Sequence, residues 1–142
     1  MIHQISIFLE NRAGQLAQVT RVLADNAIDM RAISIAETSD YGVLRMIVDD
    51  AQKATDVLLE NGYILSKTPV TAVAVPDAVG GLVPVLETLA EGSIDVEYMY
   101  SLFTHREGTA YMVFRVSDEE KFSALLAAHG IAVVGNEELG LR

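Results

Sequence analysis

One six-residue pattern occurs twice in this chain, as NRAGQL from Asn11 and as DAVGGL from Asp77, 66 positions later. At that offset apolar residues and glycines keep coinciding: Leu16 with Leu82, Val19 with Val85, Leu23 with Leu89, Ile28 with Ile94, Gly42 with Gly108 and Met46 with Met112. Gly62 matches Gly130 at an offset of 68, which predicts a two-residue insertion around Ser117 to Glu120. Because a repeated pattern folds as a repeated unit, we predict two domains, residues 1–66 and 69–142.

Each copy opens with a strand pattern followed by a helix pattern. Alternating side chains predict a strand with one buried face, at Ile5, Ile7 and Leu9 and again at Thr71, Val73 and Val75. After a loop, apolar residues recur at helical spacing, at Leu16, Val19 and Leu23 and then at Leu82, Val85, Leu86 and Leu89. Asn26 and Gly92 are predicted to end these helices.

The rest of each copy predicts two strands, a second helix and a short last strand. The strands are expected over residues 30–36, 43–48 and 63–65, and over 96–103, 109–116 and 131–134. The pairs Asp49-Asp50 and Ser117-Asp118 are typical of helix N-caps. Each copy therefore reads βαββαβ, and the predicted fold class is α+β: two ferredoxin-like units with helices on one face of an antiparallel sheet.

The opposite sheet face of the second copy is expected to carry Tyr98, Tyr100, Tyr111 and Val113. Such a patch would be unusually apolar if bare, so we expect the sister copy or a second chain to cover it. Residues 66–69 are the only linker, and four residues are too few for a flexible tether.

The loop before the first helix carries the clearest motif. Its residues are Asn11, Ala13, Gly14 and Leu16 in the first copy and Asp77, Val79, Gly80 and Leu82 in the second. Both copies resemble the ACT domain, whose signature runs Asp, any residue, Pro, Gly, any residue, Leu between strand one and helix one. Ala13 and Val79 replace the proline, and Asn11 replaces the first aspartate. The resemblance covers roughly residues 2 to 135 and is to a stand-alone tandem ACT protein.

This resemblance implies a non-catalytic regulatory protein that senses an amino acid or a similar small metabolite. It places the ligand at the interface between two ACT units, where the loop before helix one of one unit faces the start of strand two of its neighbour. A homodimer is expected, and a regulated enzyme is a candidate partner.

The candidate ligand-binding residues follow from that placement. They are Asn11, Ala13, Gly14, Gln15, Leu16, Ile28, Asp29, Met30, Val79, Gly80, Gly81, Leu82, Ile94 and Asp95. A helix N-terminus presents unpaired N–H groups that suit a carboxylate, and glycine lets the backbone approach it. An aspartate could bind the ammonium group.

Several of these residues also have a structural interpretation. The glycines could serve only a tight turn, and the aspartates only a solvated turn. Asn11 and Asp77 could cap the helix that follows them. Gly81 adds a second small residue, which would make the second loop more open.

Composition excludes several other functions. The chain has no cysteine, so disulfides and thiolate sites are excluded, and its three histidines lie far apart. We therefore expect no catalytic residues, no metal and no cofactor. A net charge of −10 with scattered basic residues argues against nucleic acid. No apolar run spans a bilayer and no signal peptide opens the chain, so we expect a cytoplasmic protein without membrane contact.

Two alternatives stay open. The chain could be an interaction subunit that binds a partner enzyme without any ligand. It could also be a hydrolase similar to acylphosphatase, which shares the topology and uses an arginine after strand one and an asparagine on a central strand. Arg12 lies in a comparable loop, but no strand asparagine accompanies it.

Overall fold

A computed structural model describes residues 1–10, 12–37 and 41–142, which contain seven strands and five helices. The chain forms two compact units. The first unit comprises His3–Thr68 and Gly140–Arg142, and the second comprises Met1–Ile2 and Pro69–Leu139.

The first unit has the order βαββαβ. Its elements are β1 (Ile2–Glu10), α1 (Gln15–Asp25), β2 (Met30–Glu37), β3 (Tyr41–Val48), α2 (Ala51–Glu60) and the start of β4 (Ile64–Pro76). β3 pairs antiparallel with both β1 and β2, and Ile5 lies opposite Met46. The strand order is β4-β1-β3-β2.

The second unit repeats this plan and adds a helix. After the end of β4 come α3 (Val83–Glu91), β5 (Val96–Ser101), β6 (Thr109–Val116), α4 (Glu119–Ala128), β7 (Val133–Val134) and α5 (Asn136–Leu139). Its strand order is β7-β4-β6-β5. In both units the last strand lies beside the first, which is the ferredoxin-like order, so the predicted α+β fold class is confirmed.

Each unit has its own core between its sheet and its two long helices. The first core packs Val19 and Leu23 of α1 and Leu58 of α2 against sheet residues such as Ile5 and Met46. The second core is built in the same way and includes an edge-to-face contact between Phe114 and Phe122, whose ring centroids are 5.5 Å apart. Helical and strand periodicity predicted most of these residues, although Leu16 and Leu86 are 38% and 41% exposed.

The second helices begin at the predicted aspartates. Asp50 Oδ1 accepts a hydrogen bond from Lys53 N, and Asp118 Oδ1 accepts one from Lys121 N, both at 3.1 Å. Gly62 and Gly130 follow the helices with φ of +82° and +70°, a conformation that favours glycine. These caps are confirmed at equivalent positions of both units.

The predicted position of the insertion is wrong. Glu10 lies opposite Tyr41, and Pro76, its equivalent, lies opposite Thr109. The offset is therefore already 68 at the start of the third strand, and the two extra residues lie in the connection between β5 and β6. The match of Gly42 with Gly108 misled the alignment: Gly42 is in β3, whereas Gly108 is in a turn.

Two further expectations are also wrong: that residues 66–69 form a linker, and that one sheet face of the second unit has no helix. Residues 66–69 are not a linker, because they lie inside β4. The predicted helix-free face of the second unit contacts α5, because the Tyr111 hydroxyl donates to Glu138 Oε1 at 3.3 Å. Tyr111 and Val113 are buried. The expected cover of this face by the sister copy or a second chain stays a prediction. A helix of four residues is too short to leave a periodic signal in the sequence.

Candidate functional site

In the described residues, the loop before α1 provides no cap for the first N–H groups of the helix. Gly14 is the N-cap residue, with φ of +89°, and it has no side chain to cap the helix. Its carbonyl accepts from Gln18 N at 3.0 Å, while Leu16 N and Ala17 N have no acceptor among the residues that the structure describes. Ala13, Gly14 and Leu16 are exposed and Gln15 is half-buried, whereas Asn11 lies outside the described residues.

The loop before α3 has a different local structure. Gly80 has φ of +76°, and a Cβ on Gly81 would lie 2.0 Å from the Pro76 carbonyl oxygen. Gly81 therefore lets the loop fold against the end of β4, and the expectation that it opens the loop is wrong. Val79 is fully exposed, Leu82 is half-buried, and Leu82 rather than Asp77 is the N-cap residue. The capping role expected for Asp77 is also wrong. Its backbone N–H donates to Gly108 O, and its side chain forms no hydrogen bond with the described residues.

The starts of the second strands are held by equivalent pairs of hydrogen bonds. Asp29 N donates to Asp49 Oδ1 at 3.0 Å, and Asp95 N donates to Ser117 Oγ at 3.0 Å. In return, Asp29 O and Asp95 O accept from the backbone of the same partners. These backbone groups are therefore already engaged within their own units.

The side chains of these strand starts divide into core and surface. Ile28 and Ile94 are buried in the two cores, and Met30 packs against the first core. Asp29 and Asp95 are exposed, and the Asp29 carboxylate forms an ion pair with Arg31 Nη1 at 3.1 Å.

Within the first unit, the predicted loop and the predicted strand start lie at opposite ends of α1. This helix has eleven residues, so it rises about 16 Å between them. The unit alone therefore does not bring Gly14 and Asp29 together. Their joint role at an interface stays a prediction from the family resemblance.

A pocket of about 310 Å³ opens in the first unit where β1, the start of α1 and the turn from α2 to β4 meet. We call it the first-unit pocket; it is lined by Phe8, Leu9, Glu10, Arg12, Gln15, Gln18, Asn61, Gly62, Tyr63 and Ile64. Of the residues predicted to bind a ligand, Gln15 alone lines it. The sequence did not predict the other residues that line the pocket, because its two walls are about fifty residues apart along the chain.

The second unit has a pocket of about 260 Å³ at the equivalent place. We call it the second-unit pocket; it is lined by Ala74, Val75, Pro76, Gly81, Pro84, Val85, Gly130, Ile131 and Ala132. Eight of these residues occupy the repeat positions of first-unit pocket residues. The duplication therefore produced the same cavity twice, once with polar and charged walls and once with apolar walls.

The charged wall of the first-unit pocket contains an ion pair. Arg12 Nε lies 3.1 Å from Glu10 Oε2. With the Gln15 amide turned so that its oxygen faces the guanidinium, this oxygen accepts from Arg12 Nε and Nη2 at 3.0 Å each. A carboxylate, a guanidinium and an amide thus lie side by side at the mouth of the cavity.

Comparison with known proteins identifies the family. The profile of the ACT domain pair family matches residues 1–141. The chain belongs to this family.

No curated protein matches the chain significantly. In the part of the chain that the structure describes, no helix is long and apolar enough to span a membrane, and no three acidic or histidine side chains group as metal ligands.

Solved structures share the fold of this chain. The ACT pair is similar to protein BT0572 from Bacteroides thetaiotaomicron, with 36% identity, a TM-score of 0.90 and coverage of 98% of this chain and 95% of that one. It shares its fold with the ligand-free regulatory subunit of aspartate kinase from Thermus thermophilus, at 19% identity and a TM-score of 0.64, covering 90% of each chain. The corresponding subunit from Thermus flavus has 16% identity and a TM-score of 0.58, with coverage of 89% and 90%.

Proposed function

We propose that this ACT pair is a non-catalytic regulatory protein that binds an amino acid or a similar small metabolite. The observation that carries the proposal is the match to the ACT domain pair family over residues 1–141. The N-terminus of α1 supports it: it has no side-chain cap bond from the described residues, and helix N-terminal N–H groups and the helix dipole favour a carboxylate. The similar fold of a protein named as a regulatory subunit supports the regulatory role.

A thermal unfolding screen against the twenty amino acids and common cofactors tests this proposal. A ligand that binds only the folded chain raises its stability by about 2.7 kcal/mol at a hundred times its Kd. We expect one amino acid, or a chemically related group of them, to raise the unfolding temperature. A chain that folds but is stabilised by none of them would contradict the proposal.

The second candidate is an interaction subunit that binds a partner enzyme without a ligand. The name of the Thermus protein, a regulatory subunit of aspartate kinase, favours keeping this alternative. Capture of an enzyme that is unchanged by added amino acids would favour it over the sensor. Homodimer formation also stays a prediction, and light scattering after gel filtration measures it.

A hydrolase similar to acylphosphatase has less support. That chemistry requires a strand asparagine near the loop arginine, and none of the described strands contains an asparagine. Arg12 instead forms an ion pair with Glu10.

A further inference from the structure

We infer that the first-unit pocket, and not the second-unit pocket, binds the charged groups of a free amino acid, with Arg12 at its carboxylate and Glu10 at its ammonium group. The inference rests on the proposed function and gives it a location within one unit. This location shares Gln15 with the residues that the family resemblance implies, but it does not include the strand starts.

The charge arrangement of the pocket is complementary to a zwitterion. An amino acid carries one carboxylate and one ammonium on the same carbon, so a site for it needs opposite charges close together. Arg12 and Glu10 supply them from one wall, 3.1 Å apart. Within the described residues, no contact engages Glu10 Oε1 or Arg12 Nη1. A carboxylate oxygen accepts hydrogen bonds and a guanidinium N–H donates them, so both groups suit the charged ends of an amino acid.

Opening this ion pair to a ligand costs little. The side chains of Arg12 and Glu10 are 67% and 73% exposed, and ion pairs with such exposure contribute little to stability. Gln15 holds the guanidinium in place from the first residue of α1, so the pocket also lies at the positive end of a helix dipole.

The size and the remaining walls of the cavity suit a small polar ligand. About 310 Å³ is at the lower end of the range for small-molecule sites, which suits one amino acid better than a nucleotide. Phe8 and Tyr63 provide apolar surface, and Gln18 and Asn61 provide amides for a polar side chain. Asn61 is held by a bond from its Nδ2 to Val57 O at 2.8 Å.

The second-unit pocket is an internal comparison for this chemistry. Pro76, Gly81 and Pro84 stand at the positions of Glu10, Gln15 and Gln18. None of its lining residues carries a charge, so a zwitterion there would lose water without gaining an ionic partner. We therefore expect one amino acid to bind per chain.

Calorimetric titration of the full chain with each of the twenty amino acids tests the inference. We expect a stoichiometry near one and a Kd weakened on the order of tenfold or more by Arg12→Ala or Glu10→Gln. Arg21→Ala is the matched control, since Arg21 is an exposed α1 arginine in an ion pair with Asp25. It should bind as the unmodified chain does, and Arg12→Lys should retain part of the affinity.

A second titration uses the amide of the amino acid that binds, which has no carboxylate. The unmodified chain should prefer the acid, and Arg12→Ala should lose that preference, which a change in folding alone would not cause. Normal binding and preference in Arg12→Ala would overturn the inference and leave the proposed function intact. Failure of the unmodified chain to bind any amino acid would overturn the inference together with the amino-acid form of the proposed function.

Discussion

Two residues adopt a backbone conformation that their side chains disfavour. Ala27 and Ser93 follow the C-caps of α1 and α3 with φ of +55° and +51°. The same hydrogen bond follows both residues: Ile28 N donates to Leu23 O, and Ile94 N donates to Leu89 O. The sequence predicted the cap residues Asn26 and Gly92. It could not predict the left-handed residue, because neither alanine nor serine signals that conformation.

Ala27→Gly should therefore stabilise the first unit. Glycine adopts positive φ without steric cost, and Ala27 is exposed, so we expect the free energy of unfolding to rise by about 0.5–1 kcal/mol. Urea denaturation followed by circular dichroism measures it. The matched control is Ala24→Gly, the same exchange at an exposed position inside α1, which should lower stability by about 1 kcal/mol. Equal losses in both variants would contradict the strain at Ala27.

At the scale of elements, caps determine where the second helices begin. Asp50 and Asp118 occupy equivalent positions, and each accepts a hydrogen bond from the backbone three residues later. By contrast, α1 and α3 begin without a side-chain cap bond from the described residues. The two helices without such a bond are the ones beside the two equivalent pockets.

Asp118→Ala should lower the free energy of unfolding by about 1 kcal/mol, because it removes the cap of α4. Asp77→Ala is the control and should change stability by less than about 0.5 kcal/mol, because the Asp77 side chain caps no helix. Chemical denaturation of the two variants in parallel provides the comparison. A larger loss from Asp77→Ala than from Asp118→Ala would contradict this assignment of caps.

Periodicity predicted the elements better than their connections. Strand alternation and helical spacing act over a few residues, so the sequence contained the information for β1, α1 and their repeats. The position of the insertion depended on strand pairing between distant residues, and a glycine coincidence at Gly42 obscured it. Residues 66–69 were predicted to be a linker, yet β4 continues through them.

At the scale of the whole molecule, duplication preserved a fold and changed a pocket. Both units share the βαββαβ order, the aspartate caps of α2 and α4 and the positions of the strand-start hydrogen bonds. The pocket walls differ, because Glu10, Gln15 and Gln18 correspond to Pro76, Gly81 and Pro84. The repeat was predictable from sequence, but the pocket was not, since each cavity joins segments that are distant along the chain.

The most direct test is a nuclear magnetic resonance titration of the isotope-labelled chain with the amino acid that stabilises it most. Shift changes of backbone amides report which of the two pockets the ligand occupies. We predict changes concentrated at residues 12–18 and 61–64, with the equivalent residues 78–84 and 129–132 unaffected. No change with any amino acid, or changes confined to the second-unit pocket, would contradict the account.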